Sequence, residues 1–116
     1  MPLSTHLPLV EKVLGLQLLA ANASLSTTSR LLSVSETTAR QLRRTISAAA
    51  AAGRRPGQAV REAFAAGFGA DDEDSWQAFR RVAAERLLER VAELPAGRGR
   101  PADLGEIVDA VMAEVA

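Results

Sequence analysis

Cysteine is absent from this chain, and histidine occurs once, at His6. The first absence excludes a disulfide framework and thiolate chemistry. The second leaves His6 as the single candidate base, from which no Ser–His pair or triad can be proposed, and catalysis is not expected. Tyrosine is also missing, so three Phe and one Trp are the only aromatics in 116 residues. Alternating apolar–polar runs and the β-branched enrichment of strands are lacking too. No apolar run reaches the roughly 18–20 residues that a membrane span needs, so no membrane partner is expected. The most apolar stretch, Leu7 to Ala21, is interrupted by Glu11 and Lys12 and follows no basic segment. A signal peptide is therefore not expected, and the cytoplasm is the expected location.

Alanine and leucine fill the gap. The chain has 23 alanines, five of them consecutive at Ala48–Ala52, and alanine is the strongest helix former. Hydrophobic residues make up 47% of the chain, enough to fill one core at this length. The composition predicts an all-α fold: a compact bundle of five to six helices in a single domain, 1–116.

Formal net charge is zero, yet its distribution is uneven. Residues 1–66 carry eight basic and three acidic groups (+5), and residues 67–116 carry six basic and eleven acidic groups (−5). Such asymmetry suits a nucleic-acid-facing half and a second half used differently. The division predicts a basic half over 1–55 and an acidic helical half over 56–116, the latter for oligomerisation or binding a protein partner.

Apolar periodicity and capping residues place the helices. Pro8, a favoured first-turn residue, opens a helix to about Asn22 that is apolar nearly all round. Its polar stripe is Glu11, Lys12, Gly15 and Asn22. Such a helix forms the centre of a fold or half of a dimer seam. A short helix follows over Ser26–Leu32. The next begins after Ser35, a good N-cap, and runs to Gly53 with Ala39, Leu42 and Ile46 inward. A fourth spans Gly57–Ala66 with Val60 and Phe64 inward. The fifth spans Asp74–Leu94, its stripe including Trp76, Phe79, Ala83 and Leu87. The sixth begins at Asp103, where Asp103-x-x-Glu106 has the form of a capping box.

Leu25 to Arg44 reads LSTTSRLLSVSETTARQLRR. Ser29 supplies a small residue where two helices would cross, Ser33 falls at a turn four residues on, and Val34 follows to plug the turn. Leu32, Ala39 and Leu42 face inward. This segment resembles the helix-turn-helix of bacterial transcriptional regulators. It departs from that pattern at Ser33, where glycine is common, at Thr28, where an apolar residue is usual, and at Ala39, which is small for its place. The resemblance implies DNA binding, with the second helix entering the major groove.

On that helix Glu36, Thr37, Arg40, Gln41 and Arg44 project outward, with Arg43 flanking. Arg pairs bidentately with guanine and Gln with adenine. Arg54 and Arg55 suit phosphates, and the Ser35 end adds a helix dipole. The expected DNA-contacting set is Ser35, Thr37, Arg40, Gln41, Arg43, Arg44, Arg54 and Arg55, acting on double-stranded DNA. Since one such module reads few base pairs, a homodimer on two half-sites is expected. The alternative is a helical protein–protein interaction module without nucleic-acid contact, as in an adaptor, an antitoxin or a phage assembly subunit.

Other motifs are weaker. Arg98-Gly99-Arg100-Pro101 matches the core of a minor-groove hook but lacks basic flanks. The run Asp71–Asp74 fails as a calcium loop, because Trp76 would be a ligand and no bidentate Glu closes it. It complements the dipole of the fifth helix instead. No phosphate-binding glycine loop is present. No cofactor and no metal are expected.

Overall fold

The apolar spacing and the caps translate directly into helices. The computed structural model describes residues 8–95 and 100–115, and these form six α-helices and no strand. They are α1 (Leu9–Ala20), α2 (Leu25–Leu32), α3 (Glu36–Ala51), α4 (Pro56–Phe68), α5 (Glu73–Glu93) and α6 (Leu104–Val115). Ser24, Ser35 and Asp72 cap α2, α3 and α5 by accepting the amides of Thr27, Thr38 and Ser75 at 3.0, 3.2 and 2.9 Å. The Ser75 amide also holds the Asp72 carboxyl below its ordinary value. Pro56 opens α4 at a position where no amide is missed.

α1 is the centre of the fold. It packs against each of the other five helices, and Val13, Leu14, Leu16 and Leu18 are fully buried. Two members of its expected polar stripe are buried rather than solvated. Glu11 is only 6% exposed and forms an ion pair with Arg90 of α5. Gly15 is buried because its missing side chain admits α2 and α3: a Cβ there would stand 2.8 Å from both Leu32 Cδ1 and Leu42 Cδ1. Only Lys12 and Asn22 of the four are exposed.

All four aromatics meet at the α4–α5 corner. Phe64, Phe68, Trp76 and Phe79 make ring contacts with centroid separations of 5.0 to 5.9 Å. Arg61 and Arg80 place their guanidinium carbons 5.4 and 6.0 Å from the Trp76 ring centroid, within cation–π range. Trp76 and Phe79 are core anchors, as their apolar stripe predicts.

The Asp103–Glu106 capping box does not form. Asp103 instead reaches α2, where Oδ2 accepts the Ser24 amide at 3.1 Å and Oδ1 accepts the Thr27 hydroxyl. These donors, the Thr27 hydroxyl above all, hold the Asp103 carboxyl below its ordinary value. Of the hook-like sequence, Arg98 and Gly99 lie outside the described residues, as does His6. Arg100 donates to the Val91 carbonyl at 3.3 Å, so its guanidinium is engaged with α5.

Candidate functional site

The segment that resembles a helix-turn-helix is built from local chemistry. α2 ends with Ser33 in the left-handed conformation (φ 56°, ψ 45°). There the amide of Val34 donates to the Ser29 carbonyl at 3.0 Å, the six-to-one bond that closes a helix C-terminus. Serine tolerates this backbone less well than the glycine usual at the position, but the turn closes. Val34 is half-buried and packs on the core, and Ser35 starts α3 immediately after. Three residues, Ser33 to Ser35, thus separate the two helices.

The inner face is tight. Ser29 is 8% exposed, and its hydroxyl donates to the Ser26 carbonyl at 3.0 Å, so its polarity is satisfied locally. Thr27 and Thr28 are fully buried although an apolar residue would be ordinary at Thr28. Leu31, Leu32, Ala39 and Leu42 are buried as the spacing predicts, and Ile46 is half-buried.

The outer face of α3 carries every residue expected there. Ser35, Thr37, Arg40, Gln41, Arg43 and Arg44 are all exposed, as are Arg54 and Arg55 just beyond the helix. Ser35 is the exception to availability, since its hydroxyl caps α3. Among the described residues no ion pair or side-chain hydrogen bond engages Arg40, Arg43, Arg44 or the Arg55 guanidinium. Arg54 differs. Its Nη1 lies 2.6 Å from Glu62 Oε1, so its charge is largely balanced at the α3–α4 corner. The Arg55 amide donates to Gln58 Oε1 at 2.9 Å, which fixes the backbone while leaving the side chain available.

The acidic run does not cover this face. Arg61 of α4 takes it up, 2.8 Å from Glu73 and 3.9 Å from Asp71. Gln77, with Arg61, keeps the Glu73 carboxyl below its usual range. Glu36 is the one acid in the first turn of α3, and it is exposed.

What the sequence did not disclose is the clamp on α2. Ser24 and Thr27 are bound by Asp103 across 79 and 76 residues, and no local pattern signals a contact at that range. Among the described residues no cluster of three or more His, Asp or Glu could hold a metal ion, and no helix is long and apolar enough to cross a membrane. No family model, curated protein or solved structure matches the chain.

Proposed function

We propose that this protein binds double-stranded DNA through α3 and acts as a small transcriptional regulator. The observation that carries the proposal is the set of uncompensated guanidinium groups at Arg40, Arg43, Arg44 and Arg55, while Asp71 and Glu73 of the acidic run pair with Arg61 instead. An α-helix is about 10–12 Å across with its side chains, which matches the roughly 12 Å major groove. Thr37, Arg40, Gln41 and Arg44 are then the base readers, and Arg43 and Arg55 hold phosphates. Arg54 contributes less because Glu62 competes for it. Glu36 repels phosphate unless it accepts from a cytosine amine. One module of this size binds weakly, so the regulator acts as a dimer on two half-sites.

A second function, a protein–protein interaction module, is favoured by a different observation. Phe68, Val82 and Leu88 are 41%, 49% and 46% exposed, large apolar side chains outside α3 that DNA binding does not use.

The test is fluorescence anisotropy of labelled random-sequence duplex DNA at about 50 and 200 mM salt. If the four guanidinium groups of Arg40, Arg43, Arg44 and Arg55 together displace about four counterions from the DNA, affinity falls roughly a hundredfold between these conditions. An Arg40→Ala/Arg44→Ala variant that keeps its helicity must bind more weakly and with a shallower salt slope. No binding at the lower salt overturns the proposal in favour of the interaction module.

A further inference from the structure

Glu36 stands alone in the basic half of the chain. Residues 1–66 contain three acids, Glu11, Glu36 and Glu62. Arg90 takes up the first and Arg54 the third. Glu36 is exposed and makes no ion pair among the described residues. Arg40 lies four residues on along α3, the order in which an acid and a base on a helix attract each other best, yet no ion pair joins them. Nor does Glu36 cap its helix, since the Ser35 hydroxyl accepts the Thr38 amide there at 3.2 Å.

Its place on the helix is the one that meets bases. Glu36 is the first residue of α3, and in a helix-turn-helix complex the N-terminal residues of the second helix contact the base edges. At a rise of about 1.5 Å per residue, Glu36 precedes Arg40 by about 6 Å along the axis. Successive bases are about 3.4 Å apart, so the two side chains reach base pairs one or two steps from each other. In the major groove a carboxylate is repelled by N7 and O6 of guanine and by O4 of thymine, which are all acceptors. Only the amines of cytosine and adenine can donate to it. Adenine sets its N7 acceptor beside that amine, against the second carboxylate oxygen, whereas cytosine sets no acceptor there.

We propose that Glu36 is a specificity-determining residue of the α3 face, accepting from the N4 amine of a cytosine one or two base pairs from the guanine that Arg40 binds. This inference rests on the DNA-binding reading of α3 and adds a sequence requirement to it. The carboxylate weakens binding to every duplex by repelling phosphate, and the cytosine contact offsets that loss at the right site alone. A repulsive element of this kind rejects wrong partners as effectively as a new contact favours the right one. Glu36 thus separates a sequence-reading regulator from a general binder of duplex DNA.

The experiment selects binding sites from duplexes with a randomised central segment and sequences the bound fraction, for the full-length protein, Glu36→Gln and Glu36→Ala. The unaltered protein is expected to enrich a cytosine at one fixed position beside a guanine. Changing that cytosine in a selected site lowers affinity by about fivefold or more. Glu36→Gln shifts the preference there to adenine, with which Gln pairs bidentately, and Glu36→Ala erases it. Both variants bind random-sequence duplex about twofold to fivefold more tightly at about 50 mM salt. A carboxylate that serves only the dipole of α3 would lower the melting temperature when removed and leave the selected sequences unchanged. A bound pool without a fixed cytosine, or one that neither variant alters, overturns this inference and leaves DNA binding standing. No binding by the unaltered protein overturns both.

Discussion

Glu11 in the first turn of α1 and Arg90 in the last turn of α5 form an ion pair across 79 residues of sequence. Each charge sits at the helix end whose dipole it complements, the acid at an N-terminus and the base at a C-terminus. The Glu11 side chain is 8% exposed and that of Arg90 is 21%, so the pair is far less screened than the surface pair Arg86–Glu89.

Removing one partner therefore strands a buried charge. Arg90→Met is expected to cost about 2–4 kcal/mol, toward the lower side of the range for buried pairs because Arg90 retains some solvent. The double variant Glu11→Leu/Arg90→Met should recover most of that loss. Urea denaturation followed by circular dichroism measures both, and equal destabilisation of the single and double variants would contradict the assignment.

Asp103 gives a pH dependence with a fixed sign. Its folded pKa lies below the ordinary 3.8 because Thr27 and Ser24 donate to its carboxylate. A depressed pKa contributes stability that is complete above the unfolded value and lost as pH falls through the folded one. Wild-type protein should lose stability more steeply than Asp103→Ala as pH falls from about 4 to 2. Superimposable slopes in that window would show that the α2 clamp is not made in solution.

Two glycines in helices should respond oppositely to alanine. Gly15→Ala drives a methyl against Leu32 and Leu42, which are themselves buried, and overpacking costs about 1–3 kcal/mol before a helix-propensity gain of up to about 1. At Gly67 the obstruction is Leu9, whose Cδ1 would lie 2.5 Å away but which is half-buried and able to turn aside. Gly67→Ala should be neutral or stabilising by up to about 1 kcal/mol. Thermal melts of the two variants check the contrast.

DNA binding through α3 would rank the arginines. Arg55→Ala should weaken duplex binding more than Arg54→Ala, because Glu62 already balances Arg54. Glu62→Gln should release that guanidinium and tighten binding by about twofold to fivefold at low salt. Anisotropy titrations of the three variants decide it, and a larger loss at Arg54 would mean that the Glu62 pair opens when DNA binds.

Helix positions were legible because they rest on local information. Ser24, Ser35 and Asp72 are caps by residue type, and the i, i+3, i+7 spacing of Ala39, Leu42 and Ile46 fixes which face of α3 turns inward. The arginine face follows by subtraction. Glu11, Gly15 and Asp103 were misplaced for one shared reason: each answers to a partner on a distant helix. A carboxylate near a helix start reads as solvent-facing or as a cap, and only the tertiary fold brings Arg90 or Thr27 beside it. The Arg54–Glu62 pair, which bears most on the site, forms across the α3–α4 turn and depends on how that corner closes.

The gathering of every aromatic at one corner also determines how the protein can be watched. With one tryptophan and no tyrosine, intrinsic emission comes from Trp76 alone, set between Arg61 and Arg80 and against Phe64 and Phe79. Fluorescence therefore follows the closure of α4 on α5 and is blind to α2 and α3. Far-ultraviolet circular dichroism follows all six helices at once. Unfolding curves that coincide by the two methods would mean that the basic half and the aromatic corner melt as one cooperative unit. Curves that separate would give each half its own stability.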